Sequence, residues 1–146
     1  MIKGIALGEE LAISTKNKVG LLADMADMLA KHRINIEAVC AYETGKTAIV
    51  LLITSANLLI AGELRKKKYK SLKENEVIIV DLENKPGAVR TITKKLSSGK
   101  IDIKHLYVTS SFDSVSSRLI MRTSDNEAAI AALSKFVEPK EREDTI

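Results

Sequence analysis

Two short stretches carry the residues best suited to holding a small molecule. Asn17-Lys18-Val19-Gly20 and Asn84-Lys85-Pro86-Gly87 lie 67 residues apart, each after an apolar run and ahead of a helix-like one. A turn that opens a helix presents backbone N–H groups with no partner. Such groups attract anions, and a carboxylate is a natural small one. Gly20 and Gly87 permit close backbone approach. Pro86 presets φ at a helix start, where a missing N–H costs little, and asparagine offers both donors and acceptors. The chemistry expected is binding of a small amino acid or similar acid, without conversion. The same residues also make an ordinary turn with asparagine as a helix cap.

Nothing else in the chain assembles into a reaction centre. The serines at 110, 111, 114, 116 and 117 form a loop cluster with no base beside them, and Asp113 reads as a turn residue. His32 and His105 do not fall at equivalent repeat positions and read as structural or solvated. Cys40 is the only cysteine, which excludes an intrachain disulfide. Set in Ala38-Val39-Cys40-Ala41, it reads as a buried thiol. Without paired carboxylates, a metal cluster or a nucleophile with its base, the expectation is a protein that is no enzyme, with no catalytic residues, metal or cofactor.

Composition narrows the partners. The chain has 146 residues, 45% apolar but only 3% aromatic, so its core must be aliphatic. The net charge of +4 is too small to argue for nucleic acid by itself. The run Arg65-Lys66-Lys67-Lys68 suits a helix end, where positive charge meets the dipole. There is no signal-peptide pattern and no apolar run near 18 residues, which argues against a membrane and places the chain in the cytoplasm.

Around the two turns the periodicity predicts helices at 19–32, 56–68, 87–98 and 126–136. Strands are predicted at 11–13, 34–43, 47–54, 69–73, 76–82, 101–111 and 117–123, with Gly8 breaking the opening apolar stretch and hairpin turns at 44–46 and 112–116. The charged tail from Val137 to Ile146 could supply one more strand, at an edge or beginning after Pro139. At an offset of 67, Leu29 meets Leu96, Ile34 meets Ile101 and Ile36 meets Ile103. Lys68-Tyr69 meets Lys135-Phe136, Lys73-Glu74 meets Lys140-Glu141, and Glu76 meets Glu143. This is an internal repeat. Each half reads β-α-β-β-α-β, giving an α+β fold of two ferredoxin-like units, each an antiparallel sheet with two helices on one face. The expected domains are 1–75 and 76–146.

The doubled order of strand, Asn-Lys-X-Gly, aliphatic helix, then Ile34-Asn35-Ile36 or Ile101-Asp102-Ile103, resembles the ACT domain, a ligand-binding regulatory module. Asn84-Lys85-Pro86-Gly87 and Ile34-Asn35-Ile36 match its signature well. Asn17-Lys18-Val19-Gly20 lacks the proline, and Asp102 replaces asparagine. The resemblance covers about residues 9–143. It implies a free-standing tandem pair acting as a metabolic sensor, with an amino acid as ligand and a metabolic enzyme as a possible partner. It assigns ligand binding to Asn17, Lys18, Val19, Gly20 and Leu21, and to Asn84, Lys85, Pro86, Gly87 and Ala88. Asn35 and Asp102 are second candidates. Two alternatives stand beside it. One is a ligand-free regulatory subunit of an enzyme. The other is an RNA-binding domain of the same plan, for which the middle strands offer only Tyr42 and Tyr107.

A last expectation concerns assembly. Val19, Leu22, Ala26 and Leu29 read as the inward stripe of the first helix, like Ala88, Val89, Ile92 and Leu96 in the other half. Leu21, Met25 and Met28 then form a second stripe, expected at a domain or subunit interface, with a homodimer favoured.

Overall fold

The structure is a computed structural model and describes residues 1–139. The strands are β1 (Ile2–Lys16), β2 (Ile36–Thr44), β3 (Thr47–Thr54), β4 (Ser71–Glu83), β5 (Ile103–Ser110) and β6 (Ser116–Thr123). The helices are α1 (Leu21–Lys31), α2 (Asn57–Lys66), α3 (Ala88–Ser98) and α4 (Asn126–Ser134). All four helices fall where the periodicity places them.

The chain packs as two compact units. The first is Glu9–Asn75, with strand order β2-β3-β1-β4 and helices α1 and α2. The second joins Met1–Gly8 to the residues from Glu76 onward, with order β1-β4-β6-β5 and helices α3 and α4. Each is thus a four-stranded ferredoxin-like sheet, with antiparallel β1–β3 and β2–β3 pairs in one and β4–β6 and β5–β6 pairs in the other. The expected first domain, 1–75, differs from the first unit in its opening residues. Ile2 is buried in the core of the second unit, and its carbonyl accepts from Glu138 N at 2.9 Å.

Two strand boundaries differ from expectation. Gly8 does not break β1, which runs unbroken through it. A Cβ there would stand 2.7 Å from Ile79 Cδ1, so this glycine permits a close approach within a strand. Likewise 69–73 and 76–82 are not separate strands; Ser71–Glu83 is one. Of the proposed tail strand, Val137 makes a single parallel bridge to Ile2, and residues 140–146 lie outside the described residues.

The helix faces explain the cores. In α1 the buried positions are Leu21, Met25 and Leu29, spaced by four, and in α3 they are Ala88, Ile92 and Leu96. This corrects the inward stripe expected for α1. Val19 precedes the helix and is fully exposed, and Leu22 is half-exposed. Leu21 and Met25 therefore belong to the core of their own unit, beside Leu11, Ile13 and Val50, and Met28 packs partly buried against it. They are not the spare stripe that an interface would use. The physical reason is the starting point of the helix. With Gly20 as its cap, residue 21 is the first that can face the sheet. Burying each such side chain contributes about 1.5–3 kcal/mol. In α2 the inward residues are Ile60, Ala61 and Leu64.

The repeat also shifts. Leu11 pairs with Leu52, and Ile78 with Met121, so beyond the hairpin the equivalent positions lie 69 residues apart. The longer second hairpin accounts for the change: six residues separate Ser110 from its partner Ser117, against four between Glu43 and Ala48. Lys68-Tyr69 and Lys135-Phe136 are therefore not equivalent, and the matches at Lys140, Glu141 and Glu143 lie outside the described residues.

Candidate functional site

The two turns share one backbone geometry. Gly20 and Gly87 cap α1 and α3 at φ of 88° and 87°, in the left-handed region open to glycine. No side chain caps either helix. Leu21 N donates to Lys18 O at 3.3 Å and Asp24 N to Gly20 O at 2.9 Å. Ala88 N and Thr91 N make the matching bonds to Lys85 O and Gly87 O. The amides of Leu22 and Ala23, and of Val89 and Arg90, have no hydrogen-bond partner among the described residues.

The asparagines tie each turn to the neighbouring hairpin. Asn17 N donates to Lys46 O at 2.9 Å, and its Nδ2 donates to Glu43 Oε2. Asn84 N donates to Val115 O at 2.9 Å, and its Nδ2 to Ser114 O at 3.0 Å. Lys18 Nζ pairs with Asp24 at 3.1 Å, and Lys85 Nζ with Glu83 at 2.6 Å. The hydrogen bond from Lys85, and then the Met1 amino group, hold the Glu83 carboxyl at about 2, below its ordinary value of 4.5. The same contact raises Lys85. Both ammonium groups are engaged by carboxylates, so neither is a bare anion-binding charge.

In the first unit the turn opens on a cavity of about 370 Å³. Asn17, Lys18, Gly20 and the start of α1 from Leu21 to Ala23 form one side; Ala41, Tyr42, Glu43, Ala48, Ile49 and Val50 of the hairpin form the other. Unpartnered amides and a carboxylate thus share the cavity with aliphatic side chains and Tyr42. That combination can receive a carboxylate, an ammonium and an aliphatic group together. Val19 points away into solvent and does not line the cavity.

Asn35 and Asp102 are not brought to the turns. Asn35 precedes β2, whose far end forms the hairpin beside Asn17, roughly 25 Å away along the strand. Asp102 stands likewise before β5, with its side chain paired to Lys104 Nζ at 2.9 Å. Their backbones are bound elsewhere. Asn35 N donates to Ser55 Oγ and Asp102 N to Ser124 Oγ, both at 3.0 Å. Those serines belong to a motif missed by the offset of 67, Thr54-Ser55-Ala56-Asn57 and Thr123-Ser124-Asp125-Asn126. A search allowing the hairpin insertion would have found it.

The histidines take no part in the site. His32 Nδ1 lies 2.9 Å from Met28 O at the end of α1, and His105 stacks on Tyr107 with 6.2 Å between centroids. Among the described residues no group of three or more His, Cys, Asp or Glu side chains could hold a metal ion, and no helix is long and apolar enough to cross a membrane.

Comparison with known proteins agrees with this architecture. The family described as an ACT domain pair matches residues 6–142. A protein from Bacteroides thetaiotaomicron has a similar fold, with a TM-score of 0.82 at 23% identity over 90% of each chain. The regulatory subunit of aspartate kinase from Thermus thermophilus, in its ligand-free form, gives 0.63 at 15% identity over 94% of this chain and 99% of that one. The corresponding subunit from Thermus flavus gives 0.59 at 14% identity over 92% and 97%. No curated protein sequence matches the chain.

Proposed function

The chain belongs to the ACT domain pair family, and we propose that it is a non-catalytic regulatory protein that binds a small amino acid at the turn before α1. The observation that carries this is the cavity of about 370 Å³ beside Asn17-Lys18-Val19-Gly20, where the Leu22 and Ala23 amides and Glu43 come together. The ligand carboxylate meets the amides at the positive end of the helix. Its ammonium meets Glu43. Leu21, Ala41 and Val50 take its side chain. The sensor acts on a metabolic enzyme in the cytoplasm, a partnership supported by the likeness to regulatory subunits of aspartate kinase. A thermal-denaturation screen against the standard amino acids tests this. A binder present at 100 times its Kd adds about 2.7 kcal/mol of stability. A screen without any stabilising amino acid favours the ligand-free subunit instead.

The homodimer rests on other residues than Leu21 and Met25. Leu22, Ile36 and Val39 are exposed around an apolar cleft of about 140 Å³ on the first unit. β2 is an edge strand with one side unpaired, a surface that a second copy can match by two-fold symmetry. Light scattering on the natural chain and on Val39→Lys tests it. A mass of one chain in both removes the dimer.

A further inference from the structure

We propose that only the first unit holds this amino acid, and that its walls select one with an uncharged apolar side chain; the inference rests on the function proposed above and adds its specificity. The strand registers align the two hairpins residue by residue. Ile13 faces Val50 as Val80 faces Leu119, and Glu43 faces Ala48 as Ser110 faces Ser117.

The alignment shows what the second unit lacks. Ser110 stands where Glu43 does, so that position offers no carboxylate to an ammonium, and Glu83 beside the turn is already paired with Lys85 and the Met1 amino group. Arg90 replaces Ala23 at the third helical position, a long charged side chain where the first unit has a methyl group. Ser117 and Arg118 replace Ala48 and Ile49, which turns an apolar wall into a polar one. The Asn84 side chain is satisfied by a backbone carbonyl of the longer hairpin. The cleft of about 450 Å³ at that hairpin is lined by serines, Thr109, Asp81 and Arg118, and by no residue of 84–88. Its two charges are spent on each other, with Arg118 Nε donating to Asp81 Oδ1 at 2.9 Å.

In the first unit the charge pattern differs. Glu43 and the helix amides suit the two charges of an amino acid's backbone. Leu21, Ala41, Ala48, Ile49 and Val50 offer the ligand side chain neither a donor nor a counter-charge; of the polar lining groups, Lys18 is paired with Asp24 and Asn17 with Glu43, which leaves the Tyr42 hydroxyl. A charged side chain entering there would lose its hydration without compensation.

Isothermal titration of the full chain with each of the twenty standard amino acids tests both parts. The inference expects one site per chain, filled by amino acids with uncharged apolar side chains. Glu43→Gln, at an exposed position, should weaken that binding about 10- to 100-fold. The carboxylic acid lacking the amino group should lose a similar factor on the natural chain, and Ser110→Ala should bind as the natural chain does. Two sites per chain, equal or tighter binding of L-aspartate or L-lysine, or undiminished binding by a folded Glu43→Gln would each overturn the inference while leaving amino-acid sensing in place. No heat with any amino acid would overturn both.

Discussion

Asn57 holds Thr54 at two points: its Oδ1 accepts from Thr54 N and from Thr54 Oγ1, both at 2.8 Å. Its Nδ2 donates to Glu9 O at 2.8 Å. Asn126 makes the same bonds to Thr123, at 3.0 and 2.9 Å, and to Glu76 O at 3.0 Å. One side chain thus joins the end of a strand, the start of a helix and a second strand. Asn57→Ala leaves partly buried groups unpaired and should cost about 2 kcal/mol. Asn126→Ala should cost a similar amount, and Asn57→Asp less, since the acceptor remains. Urea denaturation measures all three; equal stability of Asn57→Ala and the natural chain would contradict this.

Much of this arrangement was legible in the sequence, and the failures have physical causes. Helix positions follow from apolar spacing, and all four helices lie within the ranges that spacing predicts. The face of α1 was not legible, because Leu21 and Leu22 are equally apolar and only the cap at Gly20 decides between them. The strand assignment of Met1–Gly8 was hidden because its partners follow Glu76, far along the chain. Of the residues that line the cavity beside α1, Asn17, Lys18, Gly20 and Leu21 could be named in advance as candidates. Glu43 could not, since it reaches the turn only through the register of β2 on β3 and the bond from Asn17.

Three helices end in the same way. Arg33, Lys68 and Lys100 adopt φ of 54°, 73° and 54°, just after α1, α2 and α3. The following amides reach back five residues, Ile34 N to Leu29 O and Ile101 N to Leu96 O, both at 2.9 Å. This left-handed closure favours glycine. Arg33→Gly and Lys100→Gly should each stabilise the protein by about 1 kcal/mol, the relief of left-handed strain less the entropy of glycine. Chemical denaturation would show it as a higher midpoint. A lower midpoint would mean that the side chains themselves hold the closure.

Glu83 gives a pH signature. The Lys85 hydrogen bond, with the Met1 amino group second, holds its carboxyl at about 2 against an ordinary 4.5. The folded value lies below the unfolded one. Its stabilising contribution is therefore present above about 4.5 and is lost as pH falls toward 2. Carbon NMR of the Glu83 carboxyl should give the low midpoint, and Lys85→Met should raise it toward 4.5. An unmoved midpoint in Lys85→Met would remove Lys85 as the main cause.

The central claim is that an amino acid sits against the first turn of α1. Nitrogen-15 amide NMR tests it most directly, by titrating whichever standard amino acid stabilises the protein. The resonances of Leu22 and Ala23, whose N–H groups have no partner among the described residues, should move most, together with those of Tyr42 and Glu43. Saturating shifts confined to residues outside 17–23 and 41–50 would contradict the claim.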